Sequence, residues 1–192
     1  MMEYKIIDND NVKICISPDY HFFFDKKTGY FMRWGKTKDD DPQWSPFGPE
    51  LLDIEVTTKC EGVPNLNGVR SPCKFCYKSN TPHGKNMSFE TFKNVIDKVR
   101  KSGTLTQIAL GACSTLTNNP DLWKMMVYCR EVGIIPNITC ADISDDVADK
   151  LVKYTGAVAC SLYENKNICY DSIKKLTDAI LRKKVIVKIK KQ

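Results

Sequence analysis

Two hydrophobic rhythms run along this chain, and one gives way to the other near residue 50. In the first part, short apolar runs stand on either side of polar turns. Residues 4–7 and 12–16 flank Asp8, Asn9, Asp10 and Asn11. Aromatic-rich residues 20–24 and 30–34 then flank Asp25, Lys26, Lys27, Thr28 and Gly29. Apolar runs of this length around such turn residues predict β-hairpins. A polar, proline-containing connection runs from residue 37 to residue 49. Residues 1–49 therefore read as a small antiparallel β-hairpin extension whose aromatics pack against the rest of the fold.

From residue 51 strand-like and helix-like patterns alternate. Residues 52–56 predict a strand. Ser88 is placed to N-cap a helix with Met87 and Phe92 as a hydrophobic staple, and Phe89, Phe92, Val95, Ile96 and Val99 share one apolar face up to Gly103. Residues 106–110 predict the next strand. Asn119, Pro120 and Asp121 have the form of a helix start, and Leu122, Met125, Met126, Cys129 and Val132 form its buried face. A strand over 134–139, a helix from Ser144 to about residue 154, and a strand over 157–162 come next. A helix around 170–181 and a short strand over 185–189 end the series. Alternation of this kind predicts parallel strands joined by helical crossovers, an α/β fold over residues 50–192 that either closes toward a barrel or stays open.

Composition narrows the function classes. The chain has 192 residues, 42% hydrophobic and 27% charged, as expected of one soluble domain with an extension. No apolar run approaches the roughly 20 residues that span a bilayer, and the opening residues do not read as a signal peptide, so the expected location is cytoplasmic. The net charge of +6 gathers near the end, at Arg182, Lys183, Lys184, Lys188, Lys190 and Lys191. With no aromatics between these cations, a nucleic-acid groove is not expected. The nine cysteines are odd in number and irregularly spaced, which argues against a disulfide framework and leaves metal ligation for some and burial for the rest.

Cys60, Cys73 and Cys76 stand out, because they fall in a Gly- and Pro-containing loop directly after the first strand of the alternating region. In parallel α/β folds the loops at the carboxyl ends of strands carry the chemistry. Cys73 and Cys76, two residues apart, can grip one metal centre while the loop folds Cys60 back onto it. Three thiolates on a four-iron cluster leave one iron open to a small molecule. Zinc is the competing reading, with His83, Cys113 or Cys140 as a fourth ligand.

At these residues the chain resembles the radical S-adenosylmethionine (radical SAM) superfamily, whose members place three cysteines after the first strand of a partial β/α barrel. An aromatic commonly precedes the last cysteine, as Phe75 does here. The second gap of two is the usual one, whereas the first gap of twelve is longer than usual. The resemblance implies a [4Fe–4S] cluster on Cys60, Cys73 and Cys76 and S-adenosyl-L-methionine beside it. Gly111 and Ala112, ending the second strand of the barrel, would contact its methionine part, and Ser161 its ribose or carboxylate, with Tyr163 and Glu164 beyond. Phe75 and Tyr77 would lie near the adenine. It further implies an electron donor such as flavodoxin or ferredoxin, a substrate that is small or nucleotide-like, and a β/α unit beyond residues 185–189 that this sequence does not contain. The expected fold is thus a partial barrel lacking its last unit, and the catalytic residues are not assigned. The readings that compete with a radical enzyme are a zinc-stabilised binding module and an inactive, shortened remnant.

Overall fold

The change of rhythm near residue 50 separates two sheets of opposite kind. The computed structural model describes residues 3–73, 76, 78, 80–112 and 116–189. In chain order it contains β1 (Lys5–Asp8), β2 (Val12–Ile16), β3 (His21–Asp25), β4 (Phe31–Trp34), β5 (Leu51–Glu55), β6 (Val63–Pro64) and β7 (Arg70–Ser71). Then come α1 (Phe89–Val99), β8 (Gln107–Gly111), α2 (Leu122–Glu131), β9 (Ile135–Cys140), α3 (Asp145–Tyr154), β10 (Val158–Cys160) and α4 (Lys166–Ile189).

Strands β1 to β4 form an antiparallel meander in sequence order. Its register aligns Asp8, Lys13, Phe24 and Phe31 in one row and Ile6, Cys15, Phe22 and Arg33 in another, and Phe22, Phe24 and Cys15 from these rows are fully buried. The Lys13 ammonium is buried with them. It donates to the Leu105 carbonyl at 2.8 Å and pairs with Asp8 at 3.1 Å, which satisfies a charge that burial would otherwise neutralise. Tyr4 donates to the Ser102 carbonyl at 2.7 Å. The meander is thus fixed to the turn between α1 and β8.

The second sheet is parallel, in the order β10-β9-β8-β5. Alternate residues divide between its two faces. Leu52, Ile54, Ile108, Leu110, Ile138 and Cys140 join the main core with Phe92 and Ile96 of α1, Met125 and Met126 of α2, Leu151 of α3 and Ala179 of α4. The other face carries Asp53, Ala109, Thr139 and Ala159, of which Asp53, Thr139 and Ala159 are exposed. Among the described residues no helix is long and apolar enough to cross a membrane.

Ser88 caps α1 as expected, its hydroxyl accepting from the Thr91 amide at 3.2 Å. Two local expectations fail. The helix predicted at Asn119-Pro120-Asp121 starts only at Leu122. Asn119 is drawn into the core instead, its amide donating to the Val56 and Met87 carbonyls at 2.8 and 3.0 Å, and the Asp121 carboxylate accepts from the Phe89 amide at 3.0 Å at the start of α1. The strand predicted over 185–189 is helix, because α4 runs unbroken from Lys166 to Ile189. No glycine or proline follows Gly156. Arg182, Lys183 and Lys184 are good helix formers, so propagation of the existing helix outweighs the alternating pattern of the last apolar residues.

Candidate functional site

The loop after β5 begins as a zipper between residues 57–60 and 81–86. Thr58 donates to Lys85 and Cys60 to Thr81, both at 2.9 Å through the backbone. Gly84 makes this possible, since a Cβ there would lie 2.1 Å from the Thr58 carbonyl oxygen. Three asparagine side chains pin the zipper. Asn86 accepts from the Thr57 hydroxyl at 2.6 Å and donates to the Asn118 carbonyl at 2.7 Å, Asn118 donates to the Lys59 carbonyl at 3.1 Å, and Asn119 holds Val56.

The long gap between Cys60 and Cys73 is a folded hairpin. Strands β6 and β7 pair Val63 with Ser71 and Pro64 with Arg70. At its tip the Asn65 side chain accepts from the Asn67 and Val69 amides at 2.9 and 3.0 Å, an Asx turn that Gly68 completes at φ +77°. At its base Gly62 takes φ +82°, and a Cβ there would lie 1.8 Å from the Ser71 carbonyl oxygen, so only glycine fits. Arg70 donates to the Gly62 carbonyl at 3.1 Å and to Asp142, beyond β9, at 2.7 Å. Asn165, before α4, donates to the Asn65 carbonyl at 3.2 Å. The chain therefore leaves Cys60, turns, and returns Cys73 to its neighbourhood.

Cys60, Cys73 and Cys76 line one cavity of about 430 Å³ at the carboxyl ends of the parallel strands. The same cavity is lined by Gly111, Ala112, Ser161 and Tyr163, so the structure brings these expected site residues together with the cysteines, whereas Glu164 does not line it. Phe75, Tyr77 and Cys113 lie outside the described residues. The Cys60 sulfur accepts from the Gly62 amide at 3.4 Å, and the Cys76 amide donates to the Cys73 carbonyl at 3.0 Å. Burial pushes the Cys73 thiol up. The Tyr163 hydroxyl, hydrogen-bonded to it, pulls it back, and the neighbouring Cys60 and Cys76 push it up further, as adjacent thiolates repel. The Tyr163 hydroxyl is itself raised by burial and lowered by a hydrogen bond from Ser161, so a polar chain runs from Ser161 through Tyr163 to Cys73.

Among the polar residues of the cavity, Asp53, Lys78, Asn80 and Thr139 carry no sequence-based expectation. Lys78 and Asn80 reach Glu55 at the end of β5, at 3.2 and 3.0 Å. The Lys78 ammonium crosses over Gly111, where a Cβ would stand 3.0 Å from it, so a side chain at this position would displace the lysine. The signal for Asp53 was present, since Asp53 and Glu55 alternate with Leu52, Ile54 and Val56 in a strand otherwise apolar.

Of the proposed fourth zinc ligands, His83 is exposed and does not line the cavity. Cys140 borders the cavity but is only 2% exposed and packs in the main core. Burial, with Cys160 and Cys169 beside it, pushes its thiol up to about 12. Among the described residues no three His, Cys, Asp or Glu side chains converge closely enough to hold a single metal ion. A cube of four irons is wider than one ion, and its thiolates stand correspondingly further apart. Three sulfurs around a shared cavity, one of them already receiving a backbone N–H, are a donor set of the kind such a cube takes.

No protein-family model, curated protein or solved structure matches this chain.

Proposed function

We infer that this chain binds a [4Fe–4S] cluster through Cys60, Cys73 and Cys76 and S-adenosyl-L-methionine beside it, as a radical SAM enzyme acting on a small or nucleotide-like substrate. In this reading the parallel sheet is part of an incomplete β/α barrel. The observation that carries it is the convergence of three cysteines, Gly111, Ala112 and Ser161 on one cavity at the carboxyl ends of parallel strands. The chemistry the two cofactors supply together is one-electron cleavage of the sulfonium to methionine and a 5′-deoxyadenosyl radical.

The protein's own part is to bind, orient and enclose. The Gly62 amide and the Tyr163 hydroxyl, directed at Cys60 and Cys73, favour the thiolate forms that ligate iron. Gly111 keeps the wall low where the methionine part would lie, and Lys78 above it offers a cation to the methionine carboxylate. Asp53, Ala109 and Thr139 leave polar and small groups facing the space where a substrate would sit. An external flavodoxin- or ferredoxin-like protein would deliver the electron.

Anaerobic purification of the wild type and of a Cys73→Ala/Cys76→Ala variant tests the reading. The expected result is a brown wild type with about four irons per chain, lost in the variant. 5′-Deoxyadenosine should then appear from the reduced protein and S-adenosyl-L-methionine. A colourless wild type carrying about one zinc would replace this reading with a zinc-stabilised binding module. Bound iron without 5′-deoxyadenosine would make it an inactive remnant.

A further inference from the structure

A second cavity, of about 620 Å³, lies at the opposite end of the parallel strands, where β4 and the connection before β5 meet Leu51 and Gln107, the first residues of β5 and β8. The length of β8, about 13 Å at about 3.3 Å per residue, separates it from the cysteine cavity. Its walls are mainly apolar, with Phe31, Trp44 and Leu51, and its charged lining residues are Arg33 and Glu50. A volume of this size lies within the roughly 300–1,000 Å³ common for small-molecule sites.

The charged pair is incompletely satisfied. Glu50 is nine-tenths buried, and one of its carboxylate oxygens accepts from the Tyr20 hydroxyl. The other faces the Arg33 guanidinium at 3.8 Å, beyond hydrogen-bond distance, and has no hydrogen bond among the described residues. Arg33 is one-third exposed, and among the described residues its hydrogen bond goes to the Gln43 carbonyl, at 3.5 Å. A buried carboxylate oxygen lacking a donor is costly unless a ligand supplies one. Trp44, at the cavity rim, is 72% exposed, unusual for so large an apolar side chain.

We propose that this cavity binds a free α-amino acid with a large apolar side chain. An α-amino acid carries its ammonium and carboxylate on one carbon, a separation matched by the adjacent carboxylate and guanidinium. Its ammonium donates to the unfilled Glu50 oxygen, its carboxylate accepts from Arg33, and its side chain covers Phe31 and Trp44. The four charges alternate, so the ligand is held as a zwitterion. A lone cation meets Arg33 as a like charge, and a lone anion meets Glu50.

The test is titration calorimetry of the full chain with L-phenylalanine, phenethylamine and 3-phenylpropionate, which share the ring and differ in the charged groups. L-phenylalanine is expected to bind, and each analogue to bind at least about tenfold more weakly, the scale of one charge-assisted hydrogen bond. Arg33→Gln and the isosteric Glu50→Gln should each weaken L-phenylalanine by a similar factor. Trp44→Ala, at an exposed position that the fold does not need, should weaken all three compounds together. Equal affinity for the three, wild-type affinity in Arg33→Gln, or no heat with the folded wild type at saturating L-phenylalanine would each overturn the proposal. The measurement needs no iron, so its outcome is independent of the cysteine site.

Discussion

Two groups of three cysteines stand close to one another in this molecule, and they could hardly be treated more differently. Cys60, Cys73 and Cys76 sit in a loop, half-buried or exposed, with an amide and a hydroxyl directed at their sulfurs. Cys140, Cys160 and Cys169 lie where β9, β10 and α4 meet, and the Cys140 thiol is pushed up by burial first, then by the other two thiols and the nearby Asp142 carboxylate. The strand register sets Cys140 directly beside Cys160, and the Cys169 thiol points to the Cys160 carbonyl at 3.6 Å. Proximity of thiols alone therefore does not make a ligand set. What separates the first trio from the second is that all three of its cysteines line the cavity and that donors other than thiols, the Gly62 amide and the Tyr163 hydroxyl, reach two of its sulfurs.

The sharpest break between them should come at Gly62. Gly62→Ala places a methyl group against the Ser71 carbonyl, so β6 and β7 cannot close. Iron content should fall to that of the double-cysteine variant, while stability, measured by urea unfolding, changes by no more than about 1 kcal/mol, because the hairpin is a surface feature. The matching change in the second trio, Cys140→Ala, should do the reverse, leaving iron intact and lowering stability by about 1–2 kcal/mol through a small core void. If Cys140→Ala strips the iron, the contrast between the trios is wrong.

Asn119→Ala comes next. It leaves the Met87 carbonyl without its donor, takes from the Val56 carbonyl one of its two donors (the Met87 amide remains), and should destabilise the chain by about 2 kcal/mol. The same loss loosens the root of the cysteine loop, so iron retention on mild warming should suffer as well.

A smaller effect is expected with pH. In the unfolded chain the Cys140 thiol ionises near its ordinary value of about 8.5. In the fold it stays protonated up to about 12. Across that window the unfolded state binds fewer protons, so stability falls as pH rises. The contribution is fully present below the unfolded value and is lost as pH climbs toward the folded one. Thermal melts at alkaline pH should show a shallower decline for Cys140→Ala than for wild type.

Much of the fold could be read from periodicity, because the four parallel strands and the helices between them carry regular apolar spacing and glycine stops. Elements without a period were not legible. Strands β6 and β7 have two residues each, too few to show alternation, and only Asn65 and the glycines Gly62 and Gly68 hint at their turns. The last apolar residues show how a pattern can mislead: they alternate with lysines as a strand does, yet nothing before them ends the helix. At the site, the cysteines could be found because their spacing is local. Lys78, Asn80 and Thr139 could not, since they enter the cavity only through pairing with Glu55 and the order of strands in the sheet.

The hairpin between Cys60 and Cys73 has a consequence for the moment of synthesis. Its two outside moorings, Arg70 to Asp142 and Asn65 to Asn165, join positions 72 and 100 residues apart. Contacts of such separation form late, since the loop they close must be ordered first. A chain emerging from the ribosome exposes all three loop thiols long before Asn165 arrives to anchor the turn between them. The turn is thus fully moored only after residue 165 has been made and packed.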